Sequence, residues 1–100
     1  MRKKSILVTG AGSGIGLETA LLFAKRGWLI GAADISPASL ERLVAEAPAG
    51  SIVPIVADVT DRASANRMAD TFLSATGGTL DVAFLCAGVL RMGTYGEIAP

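Results

Sequence analysis

The chain has 100 residues, 51% of them hydrophobic, with nine basic and nine acidic side chains and a formal net charge of zero. That composition belongs to a globular chain rather than a disordered one, and the missing basic excess argues against a nucleic-acid binder. One cysteine excludes an internal disulfide, the lack of histidine removes Ser-His-Asp triads and most zinc sites, and no apolar run reaches the ~18 residues of a membrane span.

Arg2, Lys3 and Lys4 open the chain, but the apolar run behind them is too short for a signal peptide, and the expected compartment is a reducing cytoplasm. Ile6, Leu7 and Val8 form the first predicted strand, of the buried parallel type. Thr9, Gly10, Ala11, Gly12, Ser13, Gly14, Ile15 and Gly16 follow, and then Leu17, Leu21, Leu22 and Ala24 recur at helical spacing through Lys25 and Arg26. A glycine-rich turn between strand and helix aims unpaired N–H groups and the positive end of a helix dipole at one point, which suits a phosphate. Glycine there admits positive φ and close approach of a pyrophosphate. The P-loop pattern fails, because Leu17 and Glu18 follow Gly16 where Lys and Ser or Thr are needed. The G-x-G-x-x-G pattern fails as well, its third glycine falling on Ile15 or Leu17. A plain tight turn is the bland alternative.

Residues 28–33 read as a second buried strand, closed by Asp34. In a βαβ unit that end lies beside the first turn, where a carboxylate accepts hydrogen bonds from ribose hydroxyls and repels a 2′-phosphate. An ordinary helix cap is the alternative for Asp34, although Ser36 and Pro37 already supply a cap and a first-turn proline. Helix two spans 37–47 with Leu40, Leu43, Val44 and Ala47 on one face, and Pro48, Ala49 and Gly50 make the next turn. Strand three covers 51–57 and ends at Asp58 and Val59, where capping of the next helix by Asp58 or Thr60 is one reading. Helix three spans 62–76, with Ala65, Met68, Ala69, Phe72 and Leu73 inward and Gly77 and Gly78 ending it. Strand four covers 80–85, apolar on both faces like an interior strand, and precedes Cys86, Ala87 and Gly88. Such alternation implies one α/β domain with a parallel sheet and right-handed crossovers.

The spacing of Thr9, Gly10, Gly14 and Gly16 is T-G-x-x-x-G-x-G. With Asp34, Asp58-Val59 and Ala87-Gly88 following in order, the chain resembles the short-chain dehydrogenase/reductase family over residues 5–89. The resemblance implies a Rossmann-type doubly wound sheet of strand order 3-2-1-4, with a dinucleotide across the C-terminal strand ends. It implies cofactor contacts from Gly10, Gly12, Ser13, Gly14, Ile15 and Gly16, and from Asp34 and Ile35 at the adenosine ribose. Asp58 would hold the adenine amino group, the Val59 N–H a ring nitrogen, and the backbone of Cys86, Ala87 and Gly88 would lie against a cofactor ribose. NADP-using members usually carry Arg or Lys where this chain has Ser13 or Ile35, so NAD is favoured over NADP. The family's Asn-Asn-Ala-Gly is matched at Ala87 and Gly88 and departed from at Leu85 and Cys86.

Family chemistry rests on a Tyr-x-x-x-Lys pair with an upstream serine: the tyrosine moves the substrate hydroxyl proton and the lysine lowers its pKa. Here Tyr95 is followed four residues later by Ala99, and the last lysine is Lys25, so no catalytic residue is assigned. No metal ligand set is assigned either: Asp58 and Asp61 read as caps, Cys86 as a packed thiol, Met68 as core and Arg91 as a solvated side chain. Residues 1–100 are therefore expected to be the N-terminal portion of a single NAD-binding domain, without the C-terminal catalytic part. The implied activity is hydride transfer between a nicotinamide cofactor and a small alcohol or carbonyl substrate, in a protein that is a homo-oligomer at full length. The alternatives are a non-catalytic NAD-binding module, as a sensor or partner subunit, and a non-functional fragment.

Overall fold

Seven elements alternate through residues 3–85, the part of the chain that the computed structural model describes. They are β1 (Ser5–Thr9), α1 (Gly14–Lys25), β2 (Leu29–Asp34), α2 (Pro37–Glu46), β3 (Ile52–Val56), α3 (Arg62–Thr76) and β4 (Val82–Leu85). The strands pair in parallel in the order β3-β2-β1-β4, as the alternating pattern requires. Thr9 is in register with Ala33 on one side and Leu85 on the other, so the C-terminal ends of β1, β2 and β4 finish level. The turn after β1 and the end of β2 are thereby brought together.

Successive strand residues point to opposite faces, and each face has its own core. Ile6 and Val8 of β1 and Ile30 and Ala32 of β2 pack with Ala20 and Ala24 of α1 and Leu40 and Leu43 of α2. Leu7, Ala33 and Ile55 pack with Met68 and Phe72 of α3 on the other side. Helices thus cover both faces, which is the doubly wound arrangement.

Three local expectations change. Leu22 is 49% exposed, because about 100° per residue turns it some 200° from both Ala20 and Ala24, the residues that meet the sheet. Val44, about 40° round α2 from Leu40 and about 100° from Leu43, lies at the margin of that buried stripe and is exposed. Trp28 stands before β2 and packs edge-on against Phe23, with ring centroids 4.9 Å apart, and Lys4 Nζ lies 5.7 Å from its ring centroid. Strand β4 is an edge of the described sheet, as the order 3-2-1-4 requires, and its apolar Val82 is exposed there. The opposite edge, β3, carries Pro54, whose missing N–H is tolerated at such a position. Helix α3 ends as expected at Gly77 in the left-handed conformation. Among the described residues no helix is long and apolar enough to cross a membrane.

Candidate functional site

The turn between β1 and α1 uses its glycines for two different reasons. Gly10 and Gly14 have positive φ, 67° and 59°, which side-chain-bearing residues rarely adopt. Around Gly14 there is open space, so its requirement is conformational. Gly12 is buried, and a Cβ on it would lie 2.5 Å from Ser39 Cβ and 2.9 Å from Asp34 Oδ2. Its requirement is steric: the start of α2 and the end of β2 both press on its bare Cα.

Asp34 ends β2 half-buried, directly beside that turn. Its carboxylate accepts the Gly12 N–H on Oδ2 and the Ser36 N–H on Oδ1, each at 2.9 Å. One residue earlier, the Ala11 N–H donates to the Ala33 carbonyl at 3.0 Å. The sequence places Asp34 next to the glycine turn, and the structure brings the two together by direct bonds. Ile35, next along, projects into solvent with 65% of its surface exposed.

Helix α1 begins at Gly14 behind Ser13, whose backbone is extended and whose side chain makes no capping hydrogen bond. The other two helices are capped: Ser36 Oγ accepts from the Ser39 N–H at 3.2 Å, and Asp61 Oδ1 from the Ala63 N–H at 3.1 Å. The first-turn N–H groups of α1 have no carbonyl within their own helix to bond, so an uncapped start leaves them, with the dipole's positive end, available to an anion. Ser13, Gly14 and Ile15 are exposed at this start, while Gly16 is buried.

Asp58 and Val59 follow β3, also at the C-terminal side of the sheet. The Thr60 hydroxyl and the Thr60 N–H both donate to Asp58 Oδ1, at 2.6 and 3.0 Å. These bonds, the hydroxyl's first, hold the Asp58 carboxyl below the usual carboxylate range against a smaller opposing effect of burial. Its own N–H donates to Ser64 Oγ at 3.0 Å, and the cap of α3 is Asp61, not Asp58 or Thr60. Both bonds to the Asp58 carboxylate fall on one oxygen, so its second oxygen lies outside them. Val59 packs half-buried against the Phe72 side of the sheet. Cys86, Ala87 and Gly88, together with Arg91 and Tyr95, lie outside the described residues.

Two residues that the sequence reading passed over stand beside the turn. Ser39 and Arg42 of α2 line a small cleft of about 210 Å³ with Gly12, Ser13, Gly14 and Leu17. Ser39 lies three residues after the capping Ser36, in the first turn of α2, and its Cβ stands against the bare Cα of Gly12. A larger, apolar cleft of about 420 Å³ runs between α2 and β3, lined by Pro37, Leu40, Glu41, Val44, Pro54 and Val56. It holds none of the predicted site residues. No group of three or more Cys, Asp or Glu among the described residues is placed to hold a metal ion.

Comparison with known proteins agrees with the fold. The model of the family described as short chain dehydrogenase matches residues 4–100. The chain is 43% identical over 94 residues to 2-keto-3-deoxy-L-fuconate dehydrogenase of Xanthomonas campestris pv. campestris, covering 94% of this chain and 29% of that protein. It is 41% identical over 90 residues to 3-oxoacyl-(acyl-carrier-protein) reductase FabG of Thermotoga maritima, covering 88% of this chain and 36% of the relative. Among solved structures it is similar to 3-ketoacyl-(acyl-carrier-protein) reductase of Brucella melitensis complexed with NADH. That match has a TM-score of 0.76 and 32% identity, over 82% of this chain and 33% of the reductase. The chain spans about a third of the length of the curated relatives it matches. It belongs to the short-chain dehydrogenase family.

Proposed function

We propose that this member of the short-chain dehydrogenase family is the dinucleotide-binding portion of an NAD-dependent oxidoreductase. The observation that carries this reading is the uncapped start of α1 with the Asp34 carboxylate tied beside it. A dinucleotide fits that pair: the open N–H groups suit its pyrophosphate, and the carboxylate suits its adenosine ribose. Gly10, Gly12, Ser13, Gly14, Ile15 and Gly16 form the pyrophosphate side of the site. Asp34 and Ile35 form the ribose end and Asp58 and Val59 the adenine end, while Cys86, Ala87 and Gly88 are assigned to the cofactor by the family resemblance alone.

NAD is preferred over NADP in this reading, because a 2′-phosphate would meet the Asp34 carboxylate while the positions that usually carry Arg or Lys hold Ser13 and Ile35. When bound, the nicotinamide ring supplies or accepts the hydride exchanged with a small alcohol or carbonyl carbon. This chain's residues bind and orient the adenosine diphosphate half of that cofactor, and none of them is assigned the proton chemistry. The chain then forms the N-terminal portion of one NAD-binding domain, in a homo-oligomeric cytoplasmic enzyme.

Titration of the purified protein with NADH and NADPH, followed by nicotinamide fluorescence, tests the reading. Saturable NADH binding at least about tenfold tighter than NADPH is expected, an order of magnitude being about 1.4 kcal/mol of discrimination. No binding of either cofactor, or tighter NADPH binding, contradicts it.

A further inference from the structure

We propose that Asp34 is a positioning residue for the glycine turn as well as the ribose-binding carboxylate, so that one side chain couples the two ends of the adenosine diphosphate site. The inference rests on the dinucleotide reading above and goes beyond it, because ribose recognition alone asks nothing of the turn.

The geometry carries the coupling. Gly12 and Ser36 belong to two different connections, β1 to α1 and β2 to α2, and each gives its backbone N–H to a different oxygen of Asp34. The carboxylate therefore clamps both connections to the end of β2. Gly12 is buried with Ser39 against its Cα, so no solvent-facing rearrangement offers its N–H an equal partner. Leaving that buried N–H without an acceptor destabilises the conformation of the pyrophosphate-binding turn.

The same count shows that both roles fit on one side chain. An ionised carboxylate offers about four acceptor sites, two on each oxygen. The backbone bonds use one site on each oxygen, which leaves one on each for the two ribose hydroxyls. Gly12 itself is then a residue whose N–H serves Asp34 rather than phosphate, and its place in the site is indirect. A consequence follows for cofactor choice: removing Asp34 to admit a 2′-phosphate also loosens the turn that holds the pyrophosphate.

The test separates the roles by ligand. ADP and 2′,3′-dideoxy-ADP are titrated calorimetrically into the wild-type protein and into Asp34→Ala. The dideoxy compound lacks the hydroxyls that Asp34 binds but keeps both phosphates. The positioning role predicts that Asp34→Ala weakens dideoxy-ADP by about fivefold or more, the size of one net hydrogen bond. Unchanged dideoxy-ADP affinity alongside weakened ADP overturns the inference and leaves the dinucleotide reading standing. Failure of the wild type to bind either nucleotide refutes that reading, and the inference with it.

Amide hydrogen exchange guards against a variant that merely folds poorly. Asp34→Ala is expected to release the Gly12 and Ser36 amides while those of Leu7 and Ile30 in the central strands stay protected. Uniform loss of protection across the sheet, or a Gly12 amide as slow as in the wild type, contradicts a local positioning role.

Discussion

The ring of Phe72 lies directly over the bare Cα of Gly31: a Cβ on Gly31 would stand 2.6 Å from both Cδ1 and Cγ of the ring. Helix α3 meets β2 through this contact, and Phe72 is fully buried in the core on that face. Gly31→Ala is therefore expected to cost about 1–3 kcal/mol through overpacking. Phe72→Ala should cost about 3–5 kcal/mol through the cavity it leaves. In the double variant the new methyl enters that cavity, so its cost should be smaller than in the wild-type background. Urea denaturation of the four proteins measures this, and additive losses would mean that the two residues do not share the space.

The two kinds of glycine in the turn give opposite substitution patterns. Gly14→Ala places a side chain in the left-handed region without a clash and should cost about 1–2 kcal/mol, while Gly14→Asn should cost less. Gly12→Ala drives a methyl into Ser39 and Asp34, and no small polar residue relieves it. Thermal unfolding of the Ala and Asn variants at both positions checks the contrast, which appears as a rescue by Asn at 14 and none at 12.

Helix caps sort in the same way. Ser36→Ala and Asp61→Ala each remove a side-chain acceptor from a helix start and should cost about 1 kcal/mol. Ser13→Ala removes no such bond, so its denaturation midpoint should match the wild type. A loss at Ser13 equal to the other two would show that it caps α1 in solution and closes the site assigned to phosphate.

The Asp58 carboxyl has a pH signature. The Thr60 hydroxyl and N–H stabilise the ionised form, so its folded-state pKa is depressed. A depressed carboxylate contributes stability that is present above its unfolded pKa and is lost as pH falls through the folded value. Thr60→Val removes the larger of the two bonds and should move the Asp58 carboxyl titration upward, toward the usual carboxylate range. Carbon-detected NMR titration of wild type and variant reads the midpoint directly.

How much of this was legible in the sequence depended on the range of the interaction. Alternating apolar runs and helical spacings sufficed for all seven elements and their parallel pairing, because those are local patterns that one sheet must satisfy. Asp34 was placed beside the turn for the same reason, since a strand end is fixed by register. The exposure of Leu22 was not legible, because the small-residue stripe of Ala20 and Ala24 takes the sheet face of α1, and Val44 lies at the margin of the Leu40 and Leu43 stripe of α2. Nor was the double bond from Asp34 to Gly12 and Ser36, which depends on how two separate connections meet across space. Gly12 reads in the sequence as a cofactor contact, and the structure adds that its N–H donates to the Asp34 carboxylate.

The most direct measurement is a map of backbone amide shifts during an NADH titration of the isotope-labelled protein. The account predicts a continuous patch of shifts at Gly10 to Gly16, Asp34, Ile35, Asp58 and Val59, with the apolar cleft between α2 and β3 silent. Shifts centred instead on Leu40, Val44 and Val56 of that cleft, or no shifts under saturating NADH, would contradict it.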